Sequence, residues 1–357
     1  MIPVLSPTID EKTIEEVVKT LKSGWWGFGP KTIEFEKKFA DYVGSKYAIG
    51  VNSGTTALDL CLKAYGIKDG ELITTPMTFV SDAIVGEWNG MDVTFGDIDP
   101  DSLCLDPKSL VVTDKTKAII TVDSHGRLAD IDGLRKIFSG LIIEDAAHAM
   151  LTPGAGKKGD ITIWSFQAVK TLPTGDGGMI TTNDEKIYKR LRTLTWLGVE
   201  KHTYERSEGK RYTWDYDITQ SEGIKGYMND LSSVIGLGQL YRLEEMNAKR
   251  RAIQSVYNDA FRTNTHIKIP MYSHTVQYYT MKCDRRDELS DYLATKEIAT
   301  SVHFKPLSEM TYWKKAIKHP LSITDSIWKE LLTLPCNDGL TWKQVEYIIS
   351  CVKEFYE

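Results

Sequence analysis

The sequence predicts an α/β fold: a large domain built on a mainly parallel sheet, followed by a smaller C-terminal α+β domain. Three observations predict it. Strand-length runs at 46–51, 72–75, 92–96, 118–122 and 141–145 are separated by helix-like stretches, and that alternation builds βαβ units. The chain's 357 residues suffice for one ample core and a second, smaller one. A long amphipathic stretch over 231–252 leads out of the large domain, so residues 1–240 are assigned to that domain and 241–357 to the smaller one.

Each element follows from its pattern. Residues 10–22 predict a helix with Ile14, Val17, Val18 and Leu21 on one face. The next loop, Ser23-Gly-Trp-Trp-Gly-Phe-Gly-Pro30, carries three aromatics among three glycines. Its Trp25 or Trp26 either plugs a core or borders a binding cleft. A helix over 32–43, with Ile33, Phe35, Phe39 and Tyr42, precedes the strand at 46–51. Helices are predicted at 81–88, 107–112 and 130–138, between the strands already named. The alternating run 160–164 and the run 179–182 predict two more strands, the second closed by the turn-forming Asn183-Asp184. Residues 200–224 are polar and aromatic (Tyr204, Tyr212, Trp214, Tyr216) without periodicity, which favours an ordered loop at a cleft or interface. In the smaller domain, 276–282 predicts a strand, and 286–296 and 344–356 predict helices.

Composition removes several classes of function. With 41% hydrophobic and 26% charged residues the chain is an ordinary globular protein. A net charge of -5 and a pI near 5.9 argue against a nucleic-acid or membrane-surface binder. The five scattered cysteines form no Cys-x-x-Cys pair, so neither a disulfide framework nor a metal site is expected, and a reducing cytoplasm fits. The N-terminus lacks the pattern of a signal peptide.

The chemistry-bearing residues cluster at predicted strand ends. Asn52-Ser-Gly-Thr-Thr-Ala-Leu58 runs from a strand into a helix. Its Gly54, Thr55 and Thr56 offer backbone N–H groups and a helix dipole to an anion, or Ser53 is a plain N-cap. Pro76-Met-Thr-Phe-Val-Ser81 places the aromatic Phe79 after a strand, and Asp145-Ala-Ala-His148 ends an apolar one. A carboxylate there is costly to bury without a cationic partner. Asp145 is either a turn cap or the partner of a protonated ring nitrogen, and His148 either a core histidine or a donor to a phenolate oxygen. Lys170 lies in the glycine-bearing loop from Ser165 to Gly178, between two strands. It is a solvated loop lysine or, if held against apolar neighbours, an amine of lowered pKa that attacks carbonyls. An anion cradle, an aromatic face, a strand-end aspartate and a loop lysine together fit the parts of pyridoxal 5′-phosphate (PLP).

The stretches Asn52-Ser-Gly-Thr-Thr-Ala-Leu, Pro76-Met-Thr-Phe-Val-Ser, Asp145-Ala-Ala-His, Ser165-Phe-Gln-Ala-Val-Lys and Thr174-Gly-Asp-Gly-Gly resemble the DegT/DnrJ/EryC1/StrS family of nucleotide-sugar aminotransferases, which are fold-type-I, PLP-dependent enzymes. The resemblance implies that Lys170 is the residue to which the cofactor attaches and Asp145 the partner of the pyridine nitrogen. It further implies that His148 lies near the 3-hydroxyl, that Phe79 stacks on the ring, and that Gly54, Thr55, Thr56 and Ser165 hold the phosphate. His303, within Ser301-Val-His-Phe-Lys-Pro-Leu, and Trp26 are implied in the sugar pocket. Two departures stand out. Gln167 occupies a position where many relatives have His, and Tyr227, in Gly226-Tyr-Met-Asn-Asp-Leu, stands where an asparagine often reaches the neighbouring subunit's phosphate. Asn229 is the nearby residue that substitutes for it in this reading.

The expected activity is transfer of an amino group from L-glutamate to a nucleotide-linked keto sugar by a homodimer with shared active sites. The expected sugar is a 4-keto-6-deoxy hexose, because Lys225-Gly-Tyr-Met-Asn-Asp and Trp196-Leu-Gly-Val-Glu resemble segments of 4-aminotransferases. Two alternatives accompany it. One is a PLP-dependent sugar dehydratase of the same fold, against which Lys170 argues, since those relatives carry His at that position. The other is a non-catalytic PLP-binding regulator.

Overall fold

A computed structural model describes residues 1–207 and 214–357; Tyr212 lies outside the described residues. The chain opens with helices α1 (Glu11–Ser23) and α2 (Pro30–Val43), then β1 (Tyr47–Val51), α3 (Gly54–Ala64), β2 (Glu71–Thr74), α4 (Ser81–Trp88) and β3 (Asp92–Phe95). It continues through β4 (Thr116–Val122), α5 (Ile131–Ile137), β5 (Leu141–Asp145), β6 (Ile161–Ser165), β7 (Gly178–Thr182), α6 (Glu185–Leu194) and α7 (Thr203–Ser207). The long α8 (Asp230–Phe261) leads to β8 (Ile267–Lys268), β9 (Tyr279–Cys283), α9 (Arg286–Thr295), α10 (Ser322–Ile327), β10 (Leu331–Leu334) and α11 (Trp342–Tyr356).

The seven-stranded sheet has the order β1-β7-β6-β5-β4-β2-β3. Strands β6, β5, β4, β2 and β3 run parallel, while β7 is antiparallel to both its neighbours. Helix-bearing crossovers cover both faces of such a sheet, so its strands read as continuous apolar runs. Leu141–Asp145 is buried at every residue. One aromatic-rich cluster seals the sheet on the side of α2 and α8, where Phe35, Phe39, Trp164 and Phe166 pack together.

Polar residues fix the joins. Gly29 gives α2 no side-chain cap, so Asp230 supplies one, accepting from the Lys31 and Thr32 amides at 3.1 and 2.9 Å. This ties the start of α8 to the start of α2. Buried Glu36 meets Arg192 through two bonds of 2.8 and 2.7 Å and also accepts the Gly50 amide at 2.7 Å. A bidentate pair of this kind fixes geometry as well as charge.

The three-stranded antiparallel sheet β10-β9-β8 packs with α9, α11 and the last turns of α8 around a second core that includes Tyr257, Phe261, Tyr279 and Ile348. Helix α8 is continuous across residue 240. The segment after β9 also returns to the large sheet, where Trp313, Ala316 and Leu321 join the main core.

Several elements differ from the sequence reading. The expected helix at 107–112 is a single turn, Pro107–Ser109, because Leu110 is already extended at φ -89°, ψ 139°. Helix α6 was unexpected, since Asn183-Asp184 reads as a turn. The chain bends at Asn183, but Asp184 is extended, and its side chain accepts from the Lys186 and Ile187 amides and starts a helix. In the predicted strand over 276–282, only 279 onward pairs in the ladder. Helix α1 buries Thr13 and Thr20, whereas Ile14, Val18 and Leu21 are exposed. It turns its narrow polar face to α8, where a Cβ on Gly238 would sit 2.0 Å from Thr13 Oγ1. Its apolar stripe is left uncovered by the chain.

Candidate active site

A deep cleft opens at the carboxyl ends of the parallel strands, where ligands of open α/β sheets bind. Its volume is about 440 Å³, within the range of small-molecule sites. Gly54, Thr55, Phe79, Asp145, His148, Ser165, Gln167, Lys170 and His303 all line it.

One end is a backbone cradle. Ser53 caps α3, accepting the Thr56 amide at 3.0 Å, and the amides of Gly54 and Thr55 donate to no described acceptor. Close approach makes the cradle shallow. A Cβ on Gly54 would meet Ser165 Cβ at 3.2 Å, and one on Gly178 would lie 2.9 Å from the Gly54 nitrogen. Free amides at a helix N-terminus, beside the Ser165 hydroxyl, form an anion site. Thr56 contributes its place in the helix, but its hydroxyl is committed to Asn52 Oδ1 at 2.6 Å.

Across the middle lies Phe79, 61% exposed, a flat apolar face that the chain leaves open. Asp145 ends β5 and is buried; its Oδ1 accepts the Ala147 amide at 2.8 Å. Burial raises its pKa, while hydrogen bonds from Asp82 and the Ala147 amide and the Lys170 charge pull the other way. His148 is buried with Nδ1 unpartnered, stacked on Phe304 and edge-on to Tyr278. Burial and the nearby Lys170 charge hold it well below the ordinary histidine pKa, so the ring is neutral. His303 stacks on Tyr278 at 3.8 Å and pairs through Nδ1 with Thr333 Oγ1 at 2.9 Å. Burial and Lys170 push its pKa down to about 3.

Lys170 sits in a clamped loop. Its amide donates to the Gln167 carbonyl at 2.8 Å, and the Thr174 amide to the Phe166 carbonyl at 2.8 Å. Gln277, fully buried just before β9, donates to the Val169 carbonyl at 2.9 Å and accepts from Thr171 at 2.8 Å. The stretch expected to be strand thus holds the lysine loop instead. Gln167 points one side chain oxygen back to the Val169 amide at 3.0 Å. Burial lowers the Lys170 pKa to about 8, against the raising pull of Asp145 and Asp82, which leaves a usable fraction of neutral amine near neutral pH.

Two expected residues fall elsewhere. Trp26 is 53% exposed and lines a separate aromatic hollow with Phe28, Trp196 and Tyr227. Asn229 caps α8, accepting the Ser232 amide at 2.9 Å, and is not part of the cleft. Conversely, Asp82, Tyr278 and Phe304 line the cleft without having been singled out in the sequence. For Asp82 a signal existed: a carboxylate three residues after Phe79, at the first turn of a helix. Tyr278 and Phe304 arrive from distant segments and carry no local signal.

The donor set fits PLP. A dianion needs the free amides, an aromatic ring the open face of Phe79, a pyridinium the buried Asp145, and an aldehyde the amine of lowered pKa. Among the described residues no cluster of three or more His, Cys, Asp or Glu could hold a metal, and no helix is long and apolar enough to cross a membrane.

Comparison with known proteins agrees with the geometry. The family model for the DegT/DnrJ/EryC1/StrS aminotransferase family matches residues 7–353. The spore coat polysaccharide biosynthesis protein SpsC of Bacillus subtilis is 36% identical, over 99% of this chain and 96% of that protein. Among solved structures, the PLP form of Spr1654 from Streptococcus pneumoniae superposes with a TM-score of 0.88 at 29% identity, covering 99% of this chain and 98% of that one. The sugar aminotransferase CalS13 from Micromonospora echinospora gives a TM-score of 0.89 at 26% identity, covering 99% and 100%. Fold, cleft and sequence converge: the chain belongs to the DegT/DnrJ/EryC1/StrS family and is a PLP-dependent sugar aminotransferase of fold type I.

Proposed function

We propose that the enzyme moves an amino group from L-glutamate to a keto sugar carried on a nucleotide, with a 4-keto-6-deoxy hexose as the acceptor. The observation that carries the reading is the convergence of Lys170 and Asp145 on one cleft with the free amides of α3. Bound PLP supplies an electron sink that stabilises negative charge at the carbon losing its proton. The α3 amides and Ser165 would hold its phosphate, and Phe79 would cover one face of its ring. Asp145 would keep a proton at the ring nitrogen, and His148 would lie toward the 3-hydroxyl. The Lys170 amine, once free, would take the proton from the α-carbon of the donor and deliver it to the cofactor's C4′, and in the second half would carry a proton the other way, from C4′ to the sugar carbon that receives the nitrogen. His303 and Tyr278, which line the same cleft, are assigned to the sugar's side of it.

The exposed stripe of Ile14, Val18 and Leu21 on α1, with Trp26 and Tyr241 at 53% and 84% exposure, supports a homodimer. Apolar surface of this kind is normally covered by a partner. The aromatic hollow beside Tyr227 and the Asn229 cap would then face the neighbouring chain's cleft.

The test is a panel of nucleotide-linked keto sugars incubated with the PLP-loaded enzyme and L-glutamate, with products read by mass spectrometry. An aminated 6-deoxy sugar with the nitrogen at C4 supports the reading. Amination only of free keto sugars, or only at C3, contradicts the assigned acceptor.

A further inference from the structure

Asp82 takes no part in the chemistry above, yet it shares the wall of the cleft with Asp145. It is 1% exposed, in the first turn of α4. Thr78 donates its hydroxyl to Asp82 Oδ2 at 2.5 Å, and Oδ1 is buried and meets no donor. What Asp82 does meet is the carboxyl group of Asp145, at hydrogen-bond range. The titratable groups that bear on the pair are Lys170, on both carboxyls, and buried Asp123 and Tyr278, each of which feels the Asp145 charge; His148 lines the same cleft as a neutral ring.

Two buried carboxyl groups in contact do not both ionise, because each charge raises the proton affinity of the other. One proton therefore lies between them, and the surroundings decide its owner. Asp145 receives an amide hydrogen bond, which favours its anion. Asp82 receives only a hydroxyl, and its second oxygen can be satisfied by donating rather than accepting. Burial and the neighbouring charge push Asp82 well above the usual carboxylate range.

We infer that Asp82 is a positioning residue for Asp145: as the neutral acid it donates a hydrogen bond from Oδ1 and so holds the Asp145 carboxylate, aimed and charged, for the ring nitrogen of PLP. This rests on Asp145 being the ring-nitrogen partner. An ionised Asp82 would have the opposite effect, since a second negative charge would drive the proton onto Asp145 and away from the ring.

The test uses infrared spectroscopy of the cofactor-free and PLP-loaded protein, with Asp82→Asn, Asp82→Ala and Asp145→Asn. At neutral pH the parent-minus-Asp82→Asn difference spectrum should show one C=O stretch of a protonated carboxyl that the variant has lost, separate from any band that buried Asp123 keeps in both proteins. Asparagine can still donate to Asp145 and accept from Thr78, so Asp82→Asn should retain PLP affinity within about threefold, whereas Asp82→Ala should lose about tenfold or more. Nitrogen NMR of labelled PLP should find the ring nitrogen protonated in Asp82→Asn and less so in Asp82→Ala. Absence of that difference band overturns the proposal even if the alanine variant does not fold. A fully protonated ring nitrogen in Asp145→Asn removes the role Asp82 is said to serve and overturns it separately, whatever the band shows.

Discussion

At the residue scale, the chemistry turns on Lys170 and Asp145. Lys170 has a folded pKa of about 8, below its ordinary 10.5, because it is buried. A lysine depressed in the folded state binds fewer protons there than when unfolded. The cofactor-free protein should therefore gain stability as pH rises from about 8 toward 10.5, and carry the cost of a buried ammonium below that window. The rate of PLP uptake should likewise rise with pH and level off above about 8; a rate that keeps rising about tenfold per pH unit beyond pH 9 would place the amine in solvent. Asp145→Asn keeps the shape but loses the charge that holds a proton on the ring. Each factor of ten in rate corresponds to ~1.4 kcal/mol of barrier, and removal of so central a charge should cost several such factors. Parental turnover in Asp145→Asn would reduce the residue to a turn cap on the Ala147 amide.

At the element scale, the cradle and the caps carry separate consequences. Gly178 stands where a Cβ would approach the Ser53 carbonyl carbon to 2.8 Å and the Gly54 nitrogen to 2.9 Å. Gly178→Ala should push the start of α3 aside and weaken PLP binding by about tenfold or more, read by absorbance titration. Unchanged affinity would mean that the α3 amides do not hold the phosphate. Asn229 caps a 32-residue helix, so Asn229→Ala should cost about 1 kcal/mol in denaturant unfolding and Asn229→Asp should restore most of it. The strands and helices around the sheet were legible because burial on both faces writes long apolar runs. The Lys170 loop was legible because glycines and a proline punctuate it between two such runs. Asp82, Tyr278 and Phe304 were not, since the fold brings them in from α4, the segment before β9 and the loop after α9, and no local period marks a residue for a distant wall. Gln277 escaped for the same reason: its strand-like surroundings hide a side chain that clamps the lysine loop. The apolar stripe of α1 was read correctly as a face, but a sequence does not say whether its own chain or another covers it.

At the scale of the whole molecule, the uncovered α1 stripe and the Asn229 position apart from the cleft support a dimer that completes each site with residues of both chains. Co-expression tests it: one chain carries Lys170→Ala, the other Tyr227 and Asn229 both changed to Ala. Each variant alone should be weak or inactive, and mixed dimers should regain part of the activity through one intact site. Confirmed mixed dimers without recovery would show that each site is built from one chain. The central claim, that this cleft performs amino transfer through Lys170, is tested most directly by a single turnover. The PLP-loaded enzyme is mixed with L-glutamate in the absence of any acceptor, and released 2-oxoglutarate is counted. The parent should release about one 2-oxoglutarate per cleft, following the half-reaction expected of a ping-pong transferase. Lys170→Ala, folded and still binding PLP, should release none. Equal release from both proteins would contradict the account.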